Sequence, residues 1–173
     1  MQSLFSRYPH LAACPLALVS WKGTGDRVVW RVTGWIGLVS GRPTRLSFAL
    51  RGDEQDFDEM RCRRDFAVNV PRSALTEFLR RQGIMQSGHA AGADLPLSFV
   101  PGAIVSSPCL DDCPVIFECR VYRIQKEFER VRITGDVFAV QIDGALYRDV
   151  AFSAMRHIAS CLGQHEPSAS PVE

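Results

Sequence analysis

Apolar residues recur at every second position through much of the chain, the period of strands with one face in a core. In "VIFECRVYRI" Val115, Phe117, Cys119 and Val121 share one face, and Glu118 and Arg120 take the other. In "VRITGDVFAV" the same period groups Val131, Ile133, Val137 and Ala139. The polar "KEFER" between them reads as a hairpin connection, so these strands pair antiparallel. Upstream, "RVVWRVTGWIG" turns Val28, Trp30, Val32 and Ile36 toward a core and leaves Arg27, Arg31, Thr33 and Trp35 on the opposite side. "CPLALVSW" and "TRLSFAL" supply two further strands. In "RRDFAVNVP" the apolar run Phe66 to Val70 carries one amide, Asn69, and stops at Pro71. A buried amide needs partners, whether from a strand end, a turn or a ligand loop.

Two short helices interrupt the strands. In "DEQDFDEMRCRR" Asp56 and Glu59 have capping-box spacing, Phe57 and Met60 form an apolar pair, and arginines fill the last turn, where the helix dipole favours cations. In "SALTEFLRR" Leu75, Phe78 and Leu79 form the apolar stripe. "QGIMQSGHAAGADLPLSFVPGA" shows no sustained period and reads as a long loop, either functional or a surface excursion. "GQHEPSASPVE" has the composition of a flexible tail, so one domain over residues 1–163 and a tail over 164–173 are expected. Strands outnumber helices, which predicts a mainly β fold, an antiparallel barrel or sandwich with peripheral helices.

Composition narrows the function classes. A length of 173 residues with 46% hydrophobic and 23% charged residues describes one ordinary globular domain. A formal net charge of +1 gives no general attraction to nucleic acid, so no such partner is expected. The apolar run Leu16 to Val19 is too short to span a bilayer and lacks a basic leader, so no membrane association is expected. The six cysteines sit mostly in apolar segments, which predicts reduced thiols and a cytoplasmic location. Cys109 and Cys113, with Cys119 beyond, do not match zinc-site spacing, and no metal is expected. They also lack the C-x-x-C arrangement of a thiol redox protein. His89, His157 and His165 converge on no nucleophile, which argues against a hydrolase.

At "SFALRGDEQDFDEMRCRRDFAVNVP", with "CPLALVSW" before it and "SPCLDDCPVIFECRVYRI" and "RITGDVFAVQID" after it, the chain resembles the flavin reductase-like family of FMN-binding split barrels, which includes the flavoredoxins. Pro15 to Val19, Thr33-Gly34-Trp35, Arg51, Phe66 to Asn69, Ser87-Gly88, Glu118-Cys119 and Gly135-Asp136-Val137 carry the likeness, in order, across about residues 12–163. The resemblance implies a six-stranded antiparallel split β-barrel, usually a homodimer, with FMN at the subunit interface and NADH, NADPH or a redox protein as electron donor. It implies cofactor contacts at Arg31, Val32, Thr33, Gly34, Trp35, Ala49, Leu50, Arg51, Asp56, Asn69, Ser87 and Gly88. Among these, Thr33 to Trp35 line the flavin, Arg51 and Arg31 lie near its phosphate, Asn69 supports a loop, and Ser87-Gly88 offers backbone donors. No catalytic residue is assigned.

The chain departs from the family pattern at several positions. Asp56 stands where a Ser or Thr cap is common, Leu95 where a Lys is, Arg130 where a His is, Val29 where an Asn is, and Arg31 where an apolar residue is. A carboxylate at Asp56 would oppose a phosphate by about 4 kcal/mol at ~4 Å and an effective dielectric of ~20. The alternative expectation is therefore a non-catalytic split-barrel binding module with lost or altered flavin binding.

Overall fold

The computed structural model describes residues 16–34, 36–52, 57–81, 97–111 and 113–143. Seven strands form one antiparallel sheet: β1 Ala17–Lys22, β2 Val28–Thr33, β3 Ile36–Gly41, β4 Thr44–Arg51, β5 Asp65–Val70, β8 Val115–Glu127 and β9 Arg130–Ile142. Their order is β2-β1-β5-β8-β9-β4-β3. The helices α1, Asp58–Arg63, and α2, Ser73–Arg81, flank β5, and β6 Phe99–Pro101 pairs with β7 Pro108–Leu110 as a separate ribbon. No helix among the described residues is long and apolar enough to cross a membrane.

The sheet curls until its first strand reaches its last but one. Thr33 Oγ1, at the end of β2, donates to the Ala49 carbonyl of β4 at 2.9 Å. The hollow is filled by Val19, Trp21, Val29, Leu46, Phe48, Leu50, Phe66, Val68, Val131 and Ile133, all buried. Two bulges in the β8–β9 pairing, one between Glu118 and Cys119 and one between Val121 and Arg123, bend its longest hairpin. Phe57 and Met60, both fully buried, join α1 to the same core. A second apolar cluster, Leu16, Leu18, Trp30, Leu79 and Leu110, packs α2 and the ribbon over the other face of β1 and β2.

The mainly β, antiparallel expectation holds, with local differences. The segment 27–36 was expected to have one core face; it has two. Trp30 packs in the second cluster, while Arg31 and Thr33 on the opposite face are 9% and 4% exposed, because curling turns that face inward. The ribbon strands β6 and β7, three residues each, have too few residues to show a period. Ala139 does not join Val137 on the inner face: the bulge at Phe138 sets Ala139 opposite Glu118 and Val140 opposite Phe117. Phe78 is 36% exposed, so the α2 stripe rests on Leu75 and Leu79. The capping-box expectation is corrected too. Glu59 accepts from Thr24 N at 2.8 Å and Thr24 Oγ1 at 2.6 Å, tying α1 to the β1–β2 turn. The expected tail at 164–173 and the segment 144–163 lie outside the described residues.

Asn69 holds three strands together. Its Nδ2 donates to Leu18 O and to Ser20 Oγ, both at 2.9 Å, and its Oδ1 accepts from Leu110 N at 2.8 Å. Ser20 Oγ in turn donates to Pro108 O at 2.6 Å. The one amide in an apolar strand thereby pins β7 across β1 and β5. Asn69→Ala should strand the buried Leu110 N–H and lower stability by about 3 kcal/mol. Urea unfolding followed by tryptophan fluorescence measures this, and a loss under about 0.5 kcal/mol would refute the role.

Candidate functional site

Two segments far apart in sequence meet where the curl closes. Pairing of β3 with β4 runs from Gly41↔Thr44 to Ile36↔Phe48 and goes no further, so Ala49, Leu50 and Arg51 extend past it. The end of β2 fills that space through the Thr33–Ala49 hydrogen bond. Arg31, Val32, Thr33, Gly34, Ala49, Leu50 and Arg51 therefore share one seam. Leu50 is buried in the core, Val32 packs against the outer cluster, and Arg51 is exposed.

The seam has an unusual polar content. Arg31 is buried on the face that carries Val29 and Thr33; its Nη1 donates to Trp30 O at 3.1 Å, and its guanidinium lies 6.0 Å from the Trp21 ring centre. The Trp21 indole N–H is buried and has no hydrogen-bond partner. A Cβ added to Gly34 would meet no atom within 4 Å, so the backbone there faces open space. A desolvated cation and an accessible backbone suit the end of a flat, anionic ligand.

Of the remaining expected site residues, Asn69 alone is among the described ones. Asn69 is fully buried and spends its amide on β1 and β7, away from any open surface. Trp35, Asp56, Ser87, Gly88 and Leu95 lie outside the described residues. Two features gave no usable signal in the sequence: the unpartnered Trp21 N–H, and the position of Arg130 directly opposite Arg51 on the neighbouring strand. Only the β4–β9 register could have revealed the second.

Beside the ribbon, two carboxylates organise the loop 102–107. Glu118, fully buried, accepts from the backbone N–H groups of Ala103 at 3.1 Å, Ile104 at 2.7 Å and Val105 at 2.9 Å, and from Gln141 Nε2 at 2.5 Å. Asp65 accepts from Ser106 N at 3.0 Å and from the hydroxyls of Ser106 and Ser107. Burial pushes the Glu118 carboxyl up, but these four donors outweigh it and hold its pKa below the usual value. Nearby thiols move the other way. Burial, with the Glu118 charge adding, raises Cys109 to about 11 and raises Cys119 as well. Protonated buried thiols are poor nucleophiles, which gives Cys109 a packing role.

No family model matches the chain, and no curated protein matches it. Solved structures do. Flavoredoxin of Desulfovibrio vulgaris (Miyazaki F) superposes with a TM-score of 0.66 at 21% identity, covering 79% of this chain and 73% of that one. The styrene monooxygenase flavin reductase from Pseudomonas putida S12 gives 0.64 at 17%, covering 82% and 88%. The NADH:FAD oxidoreductase SgcE6 of Streptomyces globisporus C-1027 gives 0.62 at 17%, covering 76% and 77%. The fold is the one these proteins share, in agreement with the resemblance read from the sequence.

Because Glu118 is held below its unfolded value of 4.5, its stabilising contribution is complete above that pH and is lost as pH falls through the lower folded value. Glu59, lowered by its Thr24 hydrogen bonds, acts in the same direction. Acid titration of thermal stability should show a fall beginning below about pH 4.5. In Glu118→Gln the protein should be less stable at neutral pH, and this acid dependence should be shallower. An unchanged slope would mean that Glu118 does not carry it.

Proposed function

We propose that this chain is a flavin oxidoreductase of the flavin reductase-like type, binding FMN and taking electrons from NADH, NADPH or a redox protein. The observation that carries this reading is the seam, which brings residues 31–34 and 49–51 together through the Thr33–Ala49 hydrogen bond. In this reading the seam closes a split barrel of six strands, β2-β1-β5-β8-β9-β4, with β3 outside the ring as an added edge. The solved structures with this fold include flavin reductases, flavoredoxins and a 2-nitrobenzoate nitroreductase, which supports the choice of chemistry.

The seam residues fit the cofactor. Gly34 lets a ring system approach the backbone, and Arg31 supplies a buried positive charge. Arg51, exposed at the end of β4, suits the phosphate. The isoalloxazine supplies the electron-transfer chemistry when bound, and the protein orients it and limits water around it. Trp35, Ser87 and Gly88 complete the proposed contacts, and Asp56 weakens the phosphate end. Asn69 acts indirectly, by fixing the strands that shape the barrel. The unit is a single domain that works as a homodimer in a reducing, cytoplasmic setting.

Titration with FMN should give a yellow, fluorescence-quenched complex that NADH or NADPH bleaches without air. Binding without bleaching would select the non-catalytic binding module instead, and no binding would reject both. Gly34→Val separates site from scaffold: the melting temperature should hold within about 2 °C, equivalent to under ~0.5 kcal/mol, while FMN affinity falls at least tenfold. Equal losses in both would make Gly34 structural. Asp56→Ser should tighten FMN about tenfold through relief of like-charge repulsion. An unchanged affinity would place the phosphate away from that residue.

A further inference from the structure

Past the start of β5, one edge of β8 has no neighbouring strand among the described residues. Pairing of β5 with β8 runs from Val70↔Val115 to Asp65↔Arg120 and ends where Val121 N donates to Arg64 O at 2.9 Å. Arg64 closes α1 with left-handed backbone, φ 62°, so the chain on that side belongs to the helix and β5 extends no further. β8 runs on to Glu127 with β9 as its one partner. Tyr122 to Glu127 thus leave about 20 Å of strand edge open on that side. The charges along it are uneven. Arg64, Arg123 and Lys126 are exposed and form no ion pair among the described residues. The acids nearby are engaged: Asp65 holds Ser106 and Ser107, Asp136 pairs with Arg45, and Glu127 binds Arg132 at 2.9 Å and stands opposite Arg130. Glu129 lies past the edge, in the turn.

We propose that this edge is a docking site for an acidic, extended segment of a partner protein, which adds to the sheet as a strand beside β8. An edge of alternating N–H and C=O groups pairs with peptide backbone, which selects a polypeptide over a nucleic acid or a lipid surface. Arg123 and Lys126 are three positions apart in a regular stretch of strand, so they project to opposite faces. They meet carboxylates on both faces of the added strand, and Arg64 supplies a third cation beside the first residue of β5. The same charges select against a second copy of this chain. Two copies joined through this edge would set basic strands side by side, where like charges repel. Edge cations that serve only to prevent aggregation would give no preference for an acidic strand, and the two roles differ in that respect. The site stands apart from the flavin reading, since none of these residues belongs to the seam.

Fluorescence anisotropy of the full chain at low salt uses three labelled peptides, Thr-Glu-Glu-Val-Glu-Glu-Thr and its forms with glutamine or lysine in place of glutamate. The glutamate form should bind at least tenfold more tightly than either of the others and weaken as salt is raised. Arg123→Gln combined with Lys126→Gln, both at exposed positions, should lower that affinity at least tenfold and hold the melting temperature within about 2 °C. Two further glutamate peptides, N-methylated at odd or at even positions, test strand addition. Only one set of amides faces β8, so one form should lose at least tenfold in affinity and the other should keep it. Amide hydrogen exchange should slow at residues 122–127 when the glutamate peptide binds. The proposal is overturned if acidic and neutral peptides bind alike or neither binds, if both methylated forms bind alike, or if the protection falls elsewhere. A concentration-dependent doubling of mass that the double variant abolishes would make a second copy the occupant and overturn it too.

Discussion

The close approach of the Phe66 ring to the backbone of Gly135 sets the shape of this molecule. A Cβ at Gly135 would sit 2.3 Å from the ring, so only glycine lets β9 come this near to β5 across the hollow of the sheet. Phe48 completes the contact edge-on to Phe66, with ring centres 5.3 Å apart. These contacts draw strands on both sides of β8 toward one another, and the two bulges let the hairpin follow. Once the sheet is curled that far, the ends of β2 and β4 meet. The seam is a consequence of packing at the opposite wall.

Most of the buried polar atoms in this scaffold are answered. Asn69 and Ser20 serve the ribbon, and Glu118 and Asp65 hold its loop. Such groups specify one arrangement because any other leaves donors without acceptors in a low-dielectric interior. Against that background the Trp21 N–H stands out as an unanswered donor among the described residues, and it lies near the buried Arg31 guanidinium.

The outer face of the sheet handles charge in two ways. Across β5, β8, β9 and β4, Asp65, Arg120, Asp136 and Arg45 stand in one register row with alternating sign, the last two 2.6 Å apart. Arg45 also covers Tyr122 at 3.6 Å, and Arg120 covers Phe138 at 4.6 Å, so the two bulge aromatics are screened by cations. Further along the same strands Arg130 stands between Arg51 on β4 and Glu127 on β8, and Phe128 in the turn is exposed.

Period-2 alternation was enough to identify β1, β2, β4, β5 and the β8–β9 hairpin, because which face of a strand is apolar is a local property. The same holds for the two helices and for the conclusion that Asn69 needed partners. The ordered resemblance also located the seam segments 31–34 and 49–51. Tertiary structure decided the rest. Whether Arg31 and Thr33 faced water or an interior depended on the curl, and strands of three residues leave no period to read. Glu59 had capping-box spacing but found Thr24, a partner far away in sequence. The meetings of Thr33 with Ala49 and of Arg51 with Arg130 depend on register between distant strands, and neither strand's own pattern of polar and apolar residues encodes that register.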